Sequence, residues 1–296
     1  MTPRKSTATL QKLFIIPKSK PTQYIGNYDQ DGYKDGFGIL KWSNGIIFKG
    51  YFEQDRINGW GIVIYNNQDI FKGEFSYGKA NGFGNYLYRN GKIQIGYWAN
   101  DIFSGVGYEF YNNEYYIGEF FKGEKTGIGT FRAKNKDNDK DNIIYEGEMR
   151  NNKYHGFGIK YDEDGNIHFG NFVNNFKEGF GESFSKAGQK FIGYFKNDKK
   201  QGFGLYYLLK QTYLVGIWEN GKLEGITKIF IGKETNYGIW KKGKKVRTFM
   251  NQSELKNKSE FDINKYSMVL KFEFKNIRNF IEEDEEDHNH KSKSKK

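Results

Sequence analysis

The sequence predicts an all-β fold, an elongated single-sheet solenoid in which about ten β-hairpins follow one another as a meander. Two observations predict it. A glycine recurs ten times at spacings of 22 to 29 residues, and a large side chain follows each of these glycines by two positions. A Gly-x-Gly pair begins nine or ten residues after the glycine in eight of the ten units. A period of this length is typical of stacked repeat arrays.

The repeat framework consists of the recurring glycines and the large residues that follow them. The glycines are Gly26, Gly50, Gly73, Gly96, Gly118, Gly147, Gly170, Gly193, Gly216 and Gly238. The large residues are Tyr28, Phe52, Phe75, Trp98, Phe120, Met149, Phe172, Phe195, Trp218 and Trp240. Alternate residues of a strand share a face, so a glycine between two large side chains leaves a slot on that face. We expect an aromatic ring from a neighbouring hairpin to fill the slot.

One unit shows how each repeat forms a hairpin. Residues 145–149 and 156–161 are predicted strands, and residues 151–155 form a polar turn between them. Asp164-Gly165 then leads into the next repeat, and Asn44-Gly45 falls at the same phase, as does Asn90-Gly91. Such dipeptides predict type I′ turns, because both central residues of that turn need positive φ.

Composition limits the compartment and the chemistry. The chain has no cysteine, which excludes disulfides, thiolate metal sites and a cysteine nucleophile, and favours a reducing, cytoplasmic location. The longest apolar run near the N-terminus covers only residues 13–16. That run is too short for a signal peptide or a membrane span, so we expect a soluble or peripheral protein.

The positive charge is concentrated at the two ends. The formal net charge is +11, but residues 24–240 hold 27 basic and 26 acidic side chains and are almost neutral. A neutral array does not favour a nucleic-acid partner. We therefore expect no nucleic acid to bind, and expect any electrostatic partner to contact the ends.

No residue set predicts catalysis. The Gly-x-Gly pairs lack the third glycine and the following helix of a dinucleotide-binding loop. No serine, histidine and acid form a recognisable catalytic set. We expect a non-enzymatic protein without a cofactor.

An aspartate-rich insert lengthens the fifth spacing. Asp137, Asp139, Asp141 and Glu148 stand at positions 1, 3, 5 and 12 of a calcium-loop spacing. No helices are predicted beside the loop, and Glu119 occupies the repeat position of Glu148 without preceding aspartates. A solvated polar loop is therefore favoured, and calcium binding stays a weak alternative.

The repeat unit resembles the MORN repeat (membrane occupation and recognition nexus), which reads Tyr-x-Gly-x-Phe/Trp, a polar stretch and Gly-x-Gly. The resemblance covers residues 24–240. The sequence departs from the pattern at a few positions: Gln94, His168, Leu214 and Asn236 replace the first aromatic residue, and Gly225-Ile226-Thr227 lacks the second glycine.

The resemblance implies a non-catalytic scaffold that binds cytoskeletal or axonemal proteins, in a radial-spoke-like position in a cilium or at the cell cortex. Two alternatives stay open: an adaptor that binds phosphoinositides or acidic membranes, and a regulatory subunit of a membrane-associated enzyme. The array could also pair into a homo-oligomer.

The chain divides into four predicted regions: a basic extension (1–23), the repeat array (24–247), a cap (248–281) and a disordered charged tail (282–296). A helix is favoured over a strand for the cap, which we expect to cover the open edge of the last hairpin.

Five cations at the end of the array are candidates for binding acidic lipid: Lys241, Lys242, Lys244, Lys245 and Arg247. Each cation near a membrane surface contributes about 1 kcal/mol. A nuclear-import signal and a solubilising end are the alternatives.

Overall fold

The computed structural model describes residues 15–134, 141–209, 211–258 and 263–273. Over these ranges it contains twenty β-strands assigned to one antiparallel sheet, followed by short C-terminal helices. The predicted all-β meander with a C-terminal helix is therefore confirmed. No helix in the described ranges is long and apolar enough to span a membrane.

The chain divides into two compact units, Met1–Gly156 and Phe157–Lys296. Unit 1 contains β1 (Gln23–Tyr28), β2 (Lys34–Lys41), β3 (Ile47–Glu53), β4 (Arg56–Ile64), β5 (Ile70–Ser76), β6 (Lys79–Leu87), β7 (Ile93–Ala99), β8 (Ile102–Tyr111), β9 (Glu114–Phe121), β10 (Glu124–Ala133) and β11 (Asn142–Arg150). The boundary lies within β12 (Lys153–Tyr161). Unit 2 contains β13 (Ile167–Val173), β14 (Phe176–Phe184), β15 (Lys190–Lys196), β16 (Lys199–Tyr207), β17 (Thr212–Glu219), β18 (Lys222–Ile231), β19 (Glu234–Lys241), β20 (Lys244–Phe249), α1 (Gln252–Lys258), a 3-10 helix (Ile263–Tyr266) and α2 (Ser267–Lys271).

Glycines set the strand register in both units. Gly50 on β3 lies opposite Gly38 on β2 and Gly61 on β4, and Gly193 in unit 2 likewise lies opposite Gly181 and Gly204. Successive side chains then alternate between two faces of the sheet. The face that carries the large framework residues is called the slot face, and the other is called the open face.

The slot is filled from within its own strand. A Cβ on Gly73 would lie 2.8 Å from Phe71 Cζ, and one on Gly84, across the strand pair, would lie 2.7 Å from the same atom. The expectation that a neighbouring hairpin supplies the ring was wrong. Residues i and i+2 share a face, so the ring folds back along its own strand over the glycine. The next repeat contributes an edge contact instead, with Trp98 5.2 Å from the Phe71 ring centroid.

Most turns with positive φ at both central residues, as type I′ turns require, lie inside the hairpins. Gln54 and Asp55 have φ of 46° and 67°, and five further pairs of Asn or Asp have positive φ at both residues; of these, only Asn112-Asn113 lies between two repeats in the described part of the chain. At Asn44-Gly45 only the glycine has positive φ, and its N–H donates to the Trp42 carbonyl at 3.0 Å. The predicted type I′ turn there was wrong. Asn44 Oδ1 instead accepts a hydrogen bond from the Ile46 N–H at 3.3 Å. Such a side-chain bond is typical of a hairpin loop longer than two residues in which a glycine adopts positive φ.

The described part of the N-terminal extension packs on the slot face of unit 1. Ile15 is fully buried, and its carbonyl accepts a hydrogen bond from the Tyr65 hydroxyl at 2.6 Å. Trp42 Nε1 donates to the Ser19 carbonyl at 2.8 Å. Residues 1–14 and the predicted disordered tail lie outside the described residues.

The C-terminal helices pack on the open face of unit 2. Leu255, Tyr266 and Val269 are buried in one apolar cluster with Ile226 and Phe230 of β18. The expectation that the cap covers the sheet edge was wrong, since residues 244–248 of the last strand stay exposed. The open face at this end offers large apolar side chains to bury, whereas the edge offers mainly lysines, which themselves discourage pairing.

We predict that Gly84→Ala destabilises unit 1 by about 1–3 kcal/mol, because the new methyl overlaps the Phe71 ring and Lys72 carbonyl. The φ of Gly84 is not in the left-handed region, so the cost is steric. Urea denaturation checks the change. Phe71→Leu should lower the free energy of unfolding by less in a chain that already carries Gly84→Ala than in the natural chain. If the losses of the two single variants add up to the loss of the double variant, the contact between the Phe71 ring and Gly84 is contradicted.

Candidate binding surfaces

Aromatic side chains cover the open face of unit 1. They come from the middle position of three Gly-x-Gly pairs (Phe37, Trp60 and Phe83) and from the position after two framework glycines (Tyr51 and Tyr97). Phe37, Tyr51 and Trp60 are 50%, 52% and 53% exposed. Phe37 and Tyr51 lie opposite each other and meet edge to face at 5.8 Å, as do Phe83 and Tyr97 at 5.7 Å. Between these ring pairs Trp60 lies opposite Glu74 and Val106 opposite Glu119, so the surface alternates exposed ring pairs with an apolar residue beside a carboxylate.

Sequence reasoning missed this surface although the signal was present. The second glycine of each Gly-x-Gly pair faces the slot, so the residue just before it must point to the other face. The interpretation concentrated on the glycines, whose contacts explain the fold. The middle residue is apolar in every pair, including Phe157 and Phe180, and it lies on the face opposite the slot.

The open face of unit 2 has both an exposed and a covered part. Phe180 and Tyr194 are exposed and meet edge to face at 5.6 Å. Farther along, Phe272 packs 6.1 Å from Phe203. Tyr266 lies so close to Gly225 that a Cβ there would overlap the phenol ring. The C-terminal segment thus occupies the surface that is uncovered at Phe180.

A buried lysine secures this segment. Lys228 is only 8% exposed, and its ammonium donates to the Leu270 carbonyl at 3.2 Å and to the Phe272 carbonyl at 2.6 Å. These carbonyls end α2, where a cation is favourable. Burial lowers the pKa of Lys228, and the Glu273 carboxylate opposes that shift.

The five predicted lipid-binding cations lie on the last hairpin, residues 241–247, which we call the basic edge hairpin. All five side chains are exposed, and none forms an ion pair within the described part of the chain. Lys245 lies opposite Trp240 and Arg247 opposite Ile239, so the cations project from both faces and from the turn.

The calcium candidates are only partly described. Asp137 and Asp139 lie outside the described residues. The Asp141 carboxylate accepts a hydrogen bond from the Tyr115 hydroxyl, and Glu148 faces Gly156 across the hairpin. Within the described ranges no three His, Cys, Asp or Glu residues are grouped as metal ligands.

A charged network replaces the slot aromatic in unit 1. Gln94 stands at the slot position, where it donates to Glu109 at 2.8 Å and accepts from the Tyr88 hydroxyl at 2.8 Å. Glu109 also forms ion pairs with Lys92 at 2.9 Å and with Lys125. Burial alone would raise the pKa of Glu109, but the two ammonium groups lower it to about 2.

His168 is the corresponding polar substitution in unit 2. It is 2% exposed, its Nδ1 lies 2.8 Å from the Ser183 hydroxyl, and its Nε2 has no hydrogen-bond partner. Burial lowers the pKa of His168 to about 3, and the nearby charges of Lys177 and Lys160 act in the same direction. The backbone of Glu182, the smallest contribution, opposes them. The imidazole is therefore neutral at physiological pH.

The large framework residues occupy one environment with few exceptions. Eight of the ten are buried on the slot face: Phe52, Phe75, Trp98, Phe120, Met149, Phe172, Phe195 and Trp218. Tyr28, in the first strand, is 58% exposed, and Trp240, near the last strand, is half-buried. The exceptions lie in the first and last repeats, where a neighbouring repeat is missing on one side.

The family comparison agrees with this repeat geometry. The MORN repeat family model matches six segments: residues 24–47, 71–93, 116–137, 145–167, 168–186 and 191–208. Six segments of the chain therefore match the MORN repeat. Four further units at residues 48–70, 94–115, 214–231 and 236–249 show the same hairpin in the structure and alternate with or follow the matched MORN repeats.

Solved structures show only distant similarity to this chain. The TCP domain of SAS-4 (dCPAP) from Drosophila melanogaster, in complex with a Proline Rich Motif of Ana2 (dSTIL), is 13% identical with a TM-score of 0.28. The match covers 69% of this chain and 99% of that chain. The TCP10 domain of Danio rerio CPAP, in complex with a peptide of Danio rerio STIL, is 11% identical with a TM-score of 0.28. That match covers 77% of this chain and 100% of that chain. No curated protein sequence matches.

We predict that His168→Phe makes unit 2 less sensitive to acid. The folded-state pKa of about 3 lies below the unfolded value of about 6.5. Between those values the unfolded chain binds one more proton, so the free energy of unfolding falls as pH falls. Phenylalanine occupies the equivalent position in three other repeats, at Phe48, Phe71 and Phe191. It does not titrate, so this acid-dependent loss of unfolding free energy should disappear.

Urea denaturation at pH 7.5 and 4.5 checks this expectation. The advantage of His168→Phe over the natural chain should grow toward pH 4.5. Phe191→His, at the equivalent slot, is the matched control and should introduce the same acid sensitivity. A difference that does not change with pH would contradict the assignment.

Proposed function

We propose that the chain is a non-catalytic scaffold that binds other proteins through the open face. The observation that supports this proposal is that the protein's own C-terminal helices cover one part of the open face, while the equivalent side chains elsewhere on that face are exposed. Large contiguous apolar surfaces on soluble proteins commonly mark interaction sites. MORN repeats, which supply the two faces, support an interaction role over a catalytic one.

The chemistry of the partner follows from the segment that already binds. The C-terminal segment places Leu255, Val269 and Leu270 against the open face of unit 2. A partner segment with aliphatic side chains on one side would bury the exposed rings in the same way. Tyrosine and tryptophan are enriched among the residues that dominate interface energies, so Tyr51, Trp60 and Tyr97 are the anchors in unit 1.

We predict that Trp60→Ser together with Tyr97→Ser abolishes partner binding without unfolding the chain. Both rings are more than half exposed, so their loss should change the unfolding midpoint little. Proximity labelling in the native cell, with each variant fused to the labelling enzyme, measures the partners. Proteins labelled by the natural chain should be lost.

Tyr77→Asn is the matched control, because Tyr77 is 74% exposed at a hairpin turn with φ of 49°, which asparagine adopts readily. The control should keep the labelled proteins. Equal labelling by the natural chain and the double variant would contradict the open face as the binding surface.

The cellular setting we propose is a ciliary axoneme, in a radial-spoke-like position, or the cortical cytoskeleton. It is supported by the resemblance of the repeats to MORN proteins alone, so it is an analogy from family to function. A fluorescent fusion expressed in the native cell tests it. Filamentous or cortical fluorescence supports the proposal, and diffuse cytosolic fluorescence contradicts it.

A second candidate is an adaptor for acidic membranes, alone or as the regulatory subunit of a membrane-associated enzyme. It is favoured by the five exposed, unpaired cations of the basic edge hairpin. At about 1 kcal/mol for each cation, four substitutions should weaken membrane binding by more than a hundredfold.

We predict that glutamine at Lys241, Lys242, Lys244 and Lys245 prevents flotation with vesicles containing 30 mol% phosphatidylserine. The matched control places glutamine at four other exposed lysines: Lys49, Lys72, Lys122 and Lys153. Both variants lose the same charge, so flotation lost in both would indicate net charge alone. A natural chain that does not float would exclude the adaptor function for these lipids.

A further inference from the structure

A cavity of about 340 Å³ lies on the slot face of unit 2. Three lysines line it, Lys160, Lys177 and Lys200, together with hydroxyl groups of Ser183 and Ser185. The volume lies within the range of pockets that bind small molecules. No part of the protein–protein surface proposed above contributes to this cavity, because that surface is on the opposite face.

Two of these lysines stand where other repeats have apolar residues. Lys177 and Lys200 are the second residues of β14 and β16. The equivalent residue is buried and apolar in four other hairpins: Ile57, Ala80, Phe103 and Leu223. A charge at a position that is apolar elsewhere costs desolvation free energy unless it has a partner.

The same position in unit 1 carries a lysine that does have a partner. Lys125 contacts Glu109, which stands two residues after the second glycine of the preceding Gly-x-Gly pair. In unit 2 that preceding position is occupied by Lys160, two residues after Gly158. Where unit 1 combines a carboxylate with a lysine, unit 2 combines two lysines. The residue at this preceding position is therefore negative in unit 1 (Glu109) and positive in unit 2 (Lys160).

The ammonium groups of Lys177 and Lys200 lie over aromatic rings. Lys177 Nζ is 5.8 Å from the Phe195 ring centroid, and Lys200 Nζ is 4.7 Å from that of Phe191 and 3.9 Å from that of Tyr206. Neither ammonium forms an ion pair within the described residues. Burial lowers the pKa of Lys200 to about 8, and the charge of Lys177 lowers it further.

Two carboxylates line the cavity but are engaged by the backbone of turns. Asp162 accepts from the Asn166 N–H at 2.8 Å and from the Asn166 side-chain amide at 2.9 Å. Asp198 accepts from the Lys177 N–H at 2.8 Å. These bonds hold both carboxylates at the cavity's turns. Burial lowers the pKa of Lys177, and the charges of Asp198 and Asp162 raise it. Neither carboxylate forms an ion pair with Lys177 or Lys200 within the described residues, so these two ammonium groups can contact an anion from outside the chain.

We propose that this cavity binds a small molecule bearing phosphate groups, with Lys177 and Lys200 contacting a phosphate. A phosphomonoester carries almost two negative charges and three acceptor oxygens, which match several ammonium groups better than one carboxylate does. The phosphate could belong to a free polyol phosphate or to a lipid headgroup, and the experiment separates these sources.

The test is isothermal titration calorimetry of the full chain with myo-inositol 1,4,5-trisphosphate, followed by flotation with phosphatidylcholine vesicles containing 5 mol% phosphatidylinositol 4,5-bisphosphate. Lys177→Leu with Lys200→Leu restores the apolar residues of other repeats. We expect this variant to bind the trisphosphate at least tenfold more weakly and to melt at or above the temperature of the natural chain, because unpaired charges are removed.

Lys244→Gln with Lys245→Gln is the matched control, which loses the same charge from the basic edge hairpin and should keep the affinity. Trisphosphate binding without flotation assigns the site to free polyol phosphates, and flotation lost in the leucine variant assigns it to a headgroup. The proposal is overturned if neither probe binds, or if binding survives the leucine substitutions and is lost in the glutamine control. Partner labelling through the open face is a separate readout, so either proposal can fail alone.

Discussion

Seven hairpins of the protein depend on the close approach of two glycines beneath one ring, which belongs to Phe or Tyr in six of them and is the His168 imidazole in the seventh. The Cα atoms of paired strands come so near at these points that a Cβ on Gly73 would lie 2.7 Å from the Gly84 Cα. The ring of Phe71 then covers both glycines and is fully buried. Because the contact joins a residue to its own strand and to the next, it fixes the register and builds the core in one step. Edge-to-face contacts of about 0.5–1.5 kcal/mol each add to the area that the rings bury.

Burial of the rings on one face leaves the opposite face free to vary. The slot face must accept a ring at each repeat, whereas the middle residue of Gly-x-Gly has no packing duty within its hairpin. That residue is nevertheless large and apolar throughout the array, as Trp60 in unit 1 and Phe180 in unit 2 illustrate. Retained apolar side chains on a solvent-facing surface are expected where another molecule binds. The cap supplies a direct example of such binding within the same chain.

The repeat period was enough to predict the strands and their antiparallel order, and the spacing of apolar residues after the array favoured a C-terminal helix over a strand, because each depends on local patterns. Three features could not be predicted, since they depend on placement in space. The origin of the slot ring depends on how Phe71 turns along its strand. The position of the cap depends on the relative apolar area of a face and an edge. The turn at Asn44-Gly45 depends on loop length, which decides whether asparagine adopts positive φ or caps the turn with its side chain.

Of the two candidate lysine sites, one was predicted from the sequence and the other was not. The exposed lysines after Trp240 were predicted as a cluster, and the structure spreads them over both faces of one hairpin. The cavity lysines were not predicted, because Lys160, Lys177 and Lys200 are far apart along the chain and each looks like an ordinary surface residue. Aligning the repeats on their glycines would have found them. In that alignment, Lys177 and Lys200 stand at a position that is buried and apolar in four other hairpins.

The contact between Tyr266 and Gly225 has a consequence for how such a protein can evolve. Duplication or loss of an internal repeat changes the length of the array without touching this contact, because each inner hairpin meets only its neighbours. Insertion of a repeat between β18 and the cap would instead separate Tyr266 and Lys228 from their partners. The C-terminal end is therefore a fixed terminator, and changes in repeat number are confined to the segment before it.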